Sequence, residues 1–365
     1  MLQILCIGDP HFKKNNAHET ENMEFQILKI INENKPDLVI VLGDILHDFE
    51  TITSSVQCRA VNFLLKIKEK CKLYIIIGNH DRINNREYLT EIHPFYALKN
   101  WDNTLIADKT IYFEEKGYKF LLVPYVPNGS FLKAIEEFDY KNVDAIFAHQ
   151  EFKGCKLGCN ISTEGDEWDI YNPLVITGHI HEYQRPQYNI IYTGTPIQHN
   201  FSDGKKKTIS IYEFNRHIEN EIDELFFKND KTSGCKIYIK ENRIKIPQKT
   251  KRTLKIKCDQ IQNIKLKENS FYKIKIKGTT QELNSSFNHT NIQLWKEKGH
   301  KVVRDVIIEN YAKKDFKNNE LKFEKILYNA IKDNDKLLSI HKKYFGINEN
   351  NENKENNENN ENNEK

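Results

Sequence analysis

Short apolar runs recur along the first 215 residues: Leu2 to Ile7, Leu38 to Leu42, Leu73 to Ile77, Phe120 to Val123, Ala145 to Ala148, Leu174 to Thr177, Ile190 to Thr193 and Ile209 to Phe214. Runs this short, bounded by Gly, Asn, Asp or Pro, read as buried strands. Between them the period changes. From Met23 to Asn34 and from Val56 to Lys70, apolar residues fall three and four apart (Phe25, Leu28, Ile31; Ala60, Phe63, Leu64, Ile67). That is the spacing of helices that lay one face on a sheet. Strands alternating with helices predict an α/β domain.

Beyond Cys235 the period becomes two. Lys alternates with Ile or Tyr through Cys235 to Lys277, so a strand there carries apolar side chains on one face and lysines on the other. A helix near Thr290 to Lys298 and a strand near Lys301 to Ile308 complete a small α+β module. From Glu320 to Phe345, Phe323, Ile326, Leu327, Ile331, Leu337, Leu338, His341, Tyr344 and Phe345 again follow helical spacing, broken at Asp333 to Asp335. Asn348 to Lys365 is almost entirely Asn and Glu and has nothing to bury, which predicts disorder. The expected organisation is therefore residues 1–225, 226–312, 313–346 and 347–365. At 365 residues, the length agrees with two folded domains of roughly 150 residues each plus smaller appendages.

Charge sharpens this division. Between Lys228 and Lys277, sixteen Lys or Arg face four acids, a local +12 in a chain whose total is only +3. The basic module thus stands apart from a remainder of net −9. On its own, a lysine-coated sheet face serves solubility as readily as binding. Seven cysteines without a repeated spacing argue against a disulfide framework, and the Cys155, Cys159 pair alone is weak evidence for zinc. The N-terminus lacks the basic start of a secretory signal, and no stretch reaches the roughly 18 apolar residues that cross a bilayer. The expectation is a soluble intracellular protein with reduced thiols and no membrane partner.

The residues following the predicted strands carry the chemistry. After the first come Gly8, Asp9, Pro10 and His11; after the second, Gly43, Asp44, Ile45, Leu46 and His47; after the third, Gly78, Asn79, His80 and Asp81. Later strands end in Ala148, His149, Gln150 and in Gly178, His179, Ile180, His181. Singly, Asp9 and Asp44 read as turn residues, Asn79 as a left-handed cap and His149 as a core histidine. As an ordered set, oxygen and imidazole donors at five strand ends point to one metal-binding cleft.

This set resembles the calcineurin-like metallophosphoesterases, whose signature is D-x-H, G-D, G-N-H-D/E, H and G-H-x-H. Within that family it is most similar to the double-strand-break-repair nuclease branch, which has the G-D-x-x-H spacing of Asp44 and His47, Asp81 rather than Glu after the G-N-H, and a strand and turn like Ile191 to Pro196. Pro10, with Phe12 and Lys13 after His11, departs from the branch's usual residues there. The resemblance covers roughly residues 1–215 and implies a metallophosphoesterase β-sandwich flanked by helices, with a smaller α+β capping domain and C-terminal helices. It further implies that Asp9, His11 and His181 hold one divalent metal and that Asn79, His149 and His179 hold a second, with Asp44 bridging. Mixed oxygen and imidazole donors suit Mn2+, with Fe2+ or Zn2+ as alternatives. His80 and His47 are the expected catalytic residues, and Asp81 is expected to orient His80 or a ligand. The implied activity is DNA phosphodiester hydrolysis in repair or recombination, exonuclease or endonuclease. The implied partners are DNA, an SbcC-type ABC ATPase with a coiled coil, engaged by residues 313–346, and a second copy in a homodimer. The basic residues expected to meet DNA phosphates are Lys236, Lys240, Arg243, Lys245, Lys255, Lys257, Lys273, Lys275 and Lys277. A small-molecule or protein phosphoesterase, and a non-catalytic DNA-binding scaffold, are the competing readings.

Overall fold

The apolar runs line up in two sheets packed face to face. In a computed structural model of the chain, described for residues 1–216, 226–229, 236–307 and single positions or short runs between 327 and 341, one sheet has seven strands. Their order is Phe226–Asn229, Lys236–Lys245, Thr208–Asn215, Leu2–Ile7, Leu38–Val41, Lys72–Ile76, Thr104–Ala107. The other has six, in the order Gln184–Gln187, Ile190–Tyr192, Leu174–Thr177, Ala145–Ala148, Tyr118–Val123, Ile111–Glu115. Ile4, Cys6, Leu38 and Ile40 from the first sheet meet Phe120, Phe147, Leu174 and Ile176 from the second in a closed core. The outer face of the first sheet is covered by two helices, Ala17–Asn34 and Ser54–Lys68, and that of the second by Phe131, Phe152 and Trp168. Apolar contact on both faces explains why the central strands read as unbroken apolar runs rather than as alternation.

Two sequence expectations change here. On the first helix the buried stripe is Met23, Ile27, Ile30 and Ile31, while Phe25 is 66% exposed. Phe25 satisfies three- and four-residue spacing with Leu28 but lies on the opposite side from the sheet. The strand Lys236–Lys245 pairs antiparallel with Thr208–Asn215 from Tyr238↔Asn215 to Lys245↔Thr208, so it extends the catalytic sheet instead of opening the basic module. Glu241 anchors it there, its carboxylate accepting hydrogen bonds from Ser210 Oγ at 2.7 Å, Tyr212 Oη at 2.9 Å and Tyr183 Oη at 2.8 Å. The expected boundary at 226 therefore moves to about Ile246, which is buried in the core of the catalytic domain.

The basic module proper is a parallel sheet of Thr250–Lys257, Ser270–Gly278 and Lys301–Val306, with Thr280–Ser286 and Thr290–Glu297 as helices. Tyr272, Ile274 and Ile276 are buried with Leu283, Ile292 and Trp295, which leaves Lys273, Lys275 and Lys277 on the opposite face, as the period of two predicts. Gln198 and Lys251 exchange hydrogen bonds of 2.7 and 3.4 Å, and Lys251 Nζ lies 3.3 Å from Glu19, docking the module onto the first helix and the loop after Thr193. Most of the expected partner helices, 313–346, and all of the tail, 347–365, lie outside the described residues. Among the described residues no helix is long and apolar enough to cross a membrane.

Candidate metal centre

Every candidate ligand leaves the C-terminal end of a strand: Asp9 and His11 after Leu2–Ile7, Asp44 after Leu38–Val41, Asn79 after Lys72–Ile76, His149 after Ala145–Ala148, His179 and His181 after Leu174–Thr177. The first three strands are mutually parallel, as are the last two, so within each sheet these ends open the same way. The turns are tight. Asp9, His11, Asp44 and His179 all adopt positive φ (38°, 47°, 49° and 77°), the left-handed conformation that costs non-glycine residues about 1–3 kcal/mol each and gathers at functional sites. Gly43, at φ 100°, passes so close to His149 that a Cβ would press into the imidazole.

Two groups of donors result. In one, His11 Nε2 is 3.1 Å from His181 Nε2 and 3.5 Å from Asp44 Oδ2. In the other, Asn79 Oδ1 is 2.9 Å from His179 Nδ1 and 3.0 Å from His149 Nε2, and Asp44 Oδ1 is 3.3 Å from His149 Nε2. Asp44 thus turns one carboxylate oxygen to each group, the geometry a bridging ligand needs. The other ring nitrogens are already engaged, since His11 Nδ1 faces the Leu46 carbonyl at 3.1 Å and His149 Nδ1 the Leu42 carbonyl at 2.7 Å. A carbonyl only accepts, so Nδ1 of each ring carries a proton and Nε2 is turned to the donor groups, that of His11 toward His181 and Asp44 and that of His149 toward Asn79 and Asp44. Buried Asp9 Oδ2 has no hydrogen-bond partner, while Oδ1 accepts the His179 amide at 2.8 Å. Converging imidazole nitrogens and carboxylate and amide oxygens, with an orphaned carboxylate oxygen among them, fit cations between them. Asp9, His11 and His181 with Asp44 would hold one divalent ion, and Asn79, His149 and His179 with Asp44 the other.

The electrostatics agree. Burial pushes the Asp9 carboxyl up to about 7 against the pull of His149. Burial acts on Asp44 too, but His149 and His11 outweigh it and hold that carboxyl far below the usual range. His149 itself, despite burial, is raised to about 9 by Asp44 and Asp9, whereas burial lowers His181 to about 4. Both Asp9 and His149 have raised values, so in the metal-free fold each contributes stability at low pH that is lost as pH rises through about 7 and about 9 respectively. Both must release their protons to bind a cation. The stabilisation by Mn2+ is therefore expected to grow between pH 6 and 8, with affinity rising about tenfold per pH unit for each proton released. Thermal unfolding with and without Mn2+ at the two pH values measures this. A pH-independent shift would contradict it.

His47 and His80 stand at the edge of the site with rings stacked 5.6 Å apart, and His80 Nδ1 lies 2.6 Å from the His47 carbonyl oxygen. Asp81 does not orient His80. Its carboxylate accepts the amides of Ile45 at 3.1 Å, Leu46 at 2.9 Å and Gly78 at 3.2 Å, fastening the Asp44 loop to the Asn79 loop. Sequence reasoning also passed over three residues. His199 is buried with its ring 4.7 Å from His11 and its Nε2 3.0 Å from the Asp9 carbonyl. Glu151 lies 3.8 Å from His179 Nε2. Buried Lys207 donates to the His181 carbonyl at 2.9 Å. Of these, only Glu151, two residues beyond His149, carried a positional signal.

The lysine face looks onto this centre. A cleft of about 1110 Å3 is lined by His47 and His199 from the catalytic domain and by Lys251, Lys273, Lys275 and Lys301 from the module, with Lys13 and Lys14 beside them. Lys255, Lys257 and Lys277 continue the same strands in register. Lys240, Arg243 and Lys245 belong instead to the catalytic sheet, where the Arg243 guanidinium packs 3.3 Å from the Tyr183 ring centroid. The side chain of Lys236 lies outside the described residues.

The chain is similar in sequence to known proteins. The calcineurin-like phosphoesterase domain matches residues 2–183. "Putative phosphoesterase 244L" of Invertebrate iridescent virus 6 is 45% identical over 216 residues, spanning 58% of this chain and 76% of that protein. "Putative phosphoesterase 078R" of Invertebrate iridescent virus 3 is 41% identical over 236 residues, 64% of this chain and 68% of the relative. "DNA double-strand break repair protein Mre11" of Methanococcus maripaludis is 30% identical over 156 residues, 40% of each chain.

Proposed function

The chain belongs to the calcineurin-like phosphoesterase family, and from that premise we propose that it is a two-metal nuclease acting on DNA phosphodiesters. The observation that carries the choice of DNA is the cleft in which four lysines of the module face His47 and His199. A phosphomonoester or small diester needs no such surface, whereas polyanion affinity is dominated by contacts of this kind. Burial, and after it Lys251, lower the ammonium pKa of Lys13, which lines the same cleft. The 30% identity to a protein named for DNA double-strand break repair supports the same reading.

Two cations in the donor set would activate a shared water and draw off charge from the non-bridging oxygens of the phosphate. The protein's residues do the rest. Asp44 keeps both donor groups in register, and Asp81 holds the loops that carry Asp44 and Asn79. The His47 carbonyl accepts Nδ1–H of His80, which fixes the ring's orientation and leaves Nε2 to pass a proton to the leaving oxygen. His47, on the cleft wall, orients the phosphate.

The reading is tested with purified chain and Mn2+ on end-labelled single-stranded, double-stranded and hairpin DNA, beside bis-p-nitrophenyl phosphate. Turnover of the small diester alone would favour a small-molecule phosphoesterase. In the same assay, replacing Lys273, Lys275 and Lys301 by alanine should weaken DNA binding whatever the sequence. The slope of log affinity against log salt should become shallower by about 1 per phosphate-contacting lysine removed. An unchanged slope would place DNA elsewhere.

A further inference from the structure

The wall formed by His47 and His80 separates two cavities of opposite character. On the His47 side lies the lysine cleft. On the His80 side lies a smaller pocket of about 320 Å3, whose lining includes Glu50, Ile52, His80, Ile83, Ile92 and Pro94 and contains no lysine. Its charged groups other than Glu50 are mostly engaged. The Arg82 guanidinium donates to the carbonyls of Tyr125, at 2.8 Å, and Glu87, and Asp81 holds three backbone amides. His93 Nε2 lies 3.1 Å from Asp108. Ile92 is 63% exposed, and Phe49, also partly exposed, stacks on the His80 ring at 4.3 Å. The Glu50 carboxylate and the missing lysines disfavour a phosphate here. Apolar walls beside an aromatic pair favour a flat, uncharged ring, and the volume matches the lower end of small-ligand pockets, about 300 Å3.

We propose that this pocket receives the nucleobase of the nucleotide whose oxygen leaves the scissile phosphate, with the rest of the strand running along the lysine cleft. The inference rests on the nuclease reading and on His80 as the proton donor. The leaving oxygen must reach His80, so the nucleoside attached to that oxygen is the one brought against the pocket. A base seated there has left its stack, which directs cleavage to unpaired nucleotides and frayed ends.

The test uses the Mn2+-loaded full chain and single-stranded oligonucleotides carrying one abasic residue at successive positions. Removing the base on the leaving side should lower kcat/KM at the adjacent bond about tenfold, the scale of one base stacked on aromatic side chains, while removing the base across the scissile bond should not. Ile92→Asp should lower kcat/KM on the intact strand by a similar factor, and the two losses should not multiply. Ile92 is largely exposed, so folding is not at stake in this variant. Cleavage indifferent to base loss, or losses that multiply, would overturn the pocket assignment alone. Absence of cleavage on every oligonucleotide, with bis-p-nitrophenyl phosphate still hydrolysed, would overturn the nuclease reading and this assignment with it.

Discussion

Asp44→Ala is expected to abolish binding of both metals and to reduce DNA cleavage at least about a thousandfold, since two-metal activation supplies several kcal/mol of transition-state stabilisation. The expectation comes from position. Asp44 is buried and sends one oxygen toward His11 and the other toward His149, so no neighbouring side chain replaces it in either group. Its carboxyl also stays ionised across neutral pH, whereas that of Asp9 is pushed up to about 7. Asp44→Asn separates charge from shape. It keeps the volume and an oxygen acceptor for the His80 amide, a contact of 2.8 Å, but loses the negative charge shared by the two groups. Calorimetric titration with Mn2+ should show both sites lost in the alanine variant and at least one weakened in the asparagine variant. Near-normal cleavage by Asp44→Ala would remove the bridging assignment.

His80→Ala is expected to have the second-largest effect and a different signature. Metal binding should be retained, because His80 is absent from both proposed ligand sets, while kcat should fall by about 10²–10⁴-fold, the usual span for a general acid. A substrate with a good leaving group needs little protonation. The loss should therefore be large on DNA and small on bis-p-nitrophenyl phosphate. Equal losses on both substrates would assign His80 to phosphate binding, and lost metal binding would make it a ligand.

The candidate ligand residues were legible because each follows an apolar run whose strand character is plain, and because glycines at 8, 43, 78 and 178 mark turns that present them. The central strands and the helices at Ala17–Asn34 and Ser54–Lys68 follow from the same periodicities, whereas the sandwich itself was implied by the family resemblance. Other features escaped for a common reason. His199 sits in a loop with no strand-end signature and reaches the centre because the chain folds back over Asp9. Lys13, Lys14, Lys251 and Lys301 join the basic cleft from three separate segments, although none stood out in the sequence as a contact to DNA. Asp81 was expected to orient His80 or a ligand, and its carboxylate goes to three amides of the two loops that carry Asp44 and Asn79.

By itself, the sequence marked the central strands, the two helices that cover the first sheet and the candidate donor residues at the strand ends, while strands such as Thr104–Ala107 and Ile111–Glu115 went unmarked. Tertiary structure decided which strand pairs with which. Lys236–Lys245 and Ser270–Gly278 both set lysines beside isoleucine and tyrosine, yet one strand extends the catalytic sheet and the other builds the module. Periodicity records that a face is buried, because burial is a local property of each side chain. It does not record what covers that face. In Lys236–Lys245 the difference is made by Glu241, which meets Ser210, Tyr212 and Tyr183 only after residues about thirty to sixty positions away have come alongside.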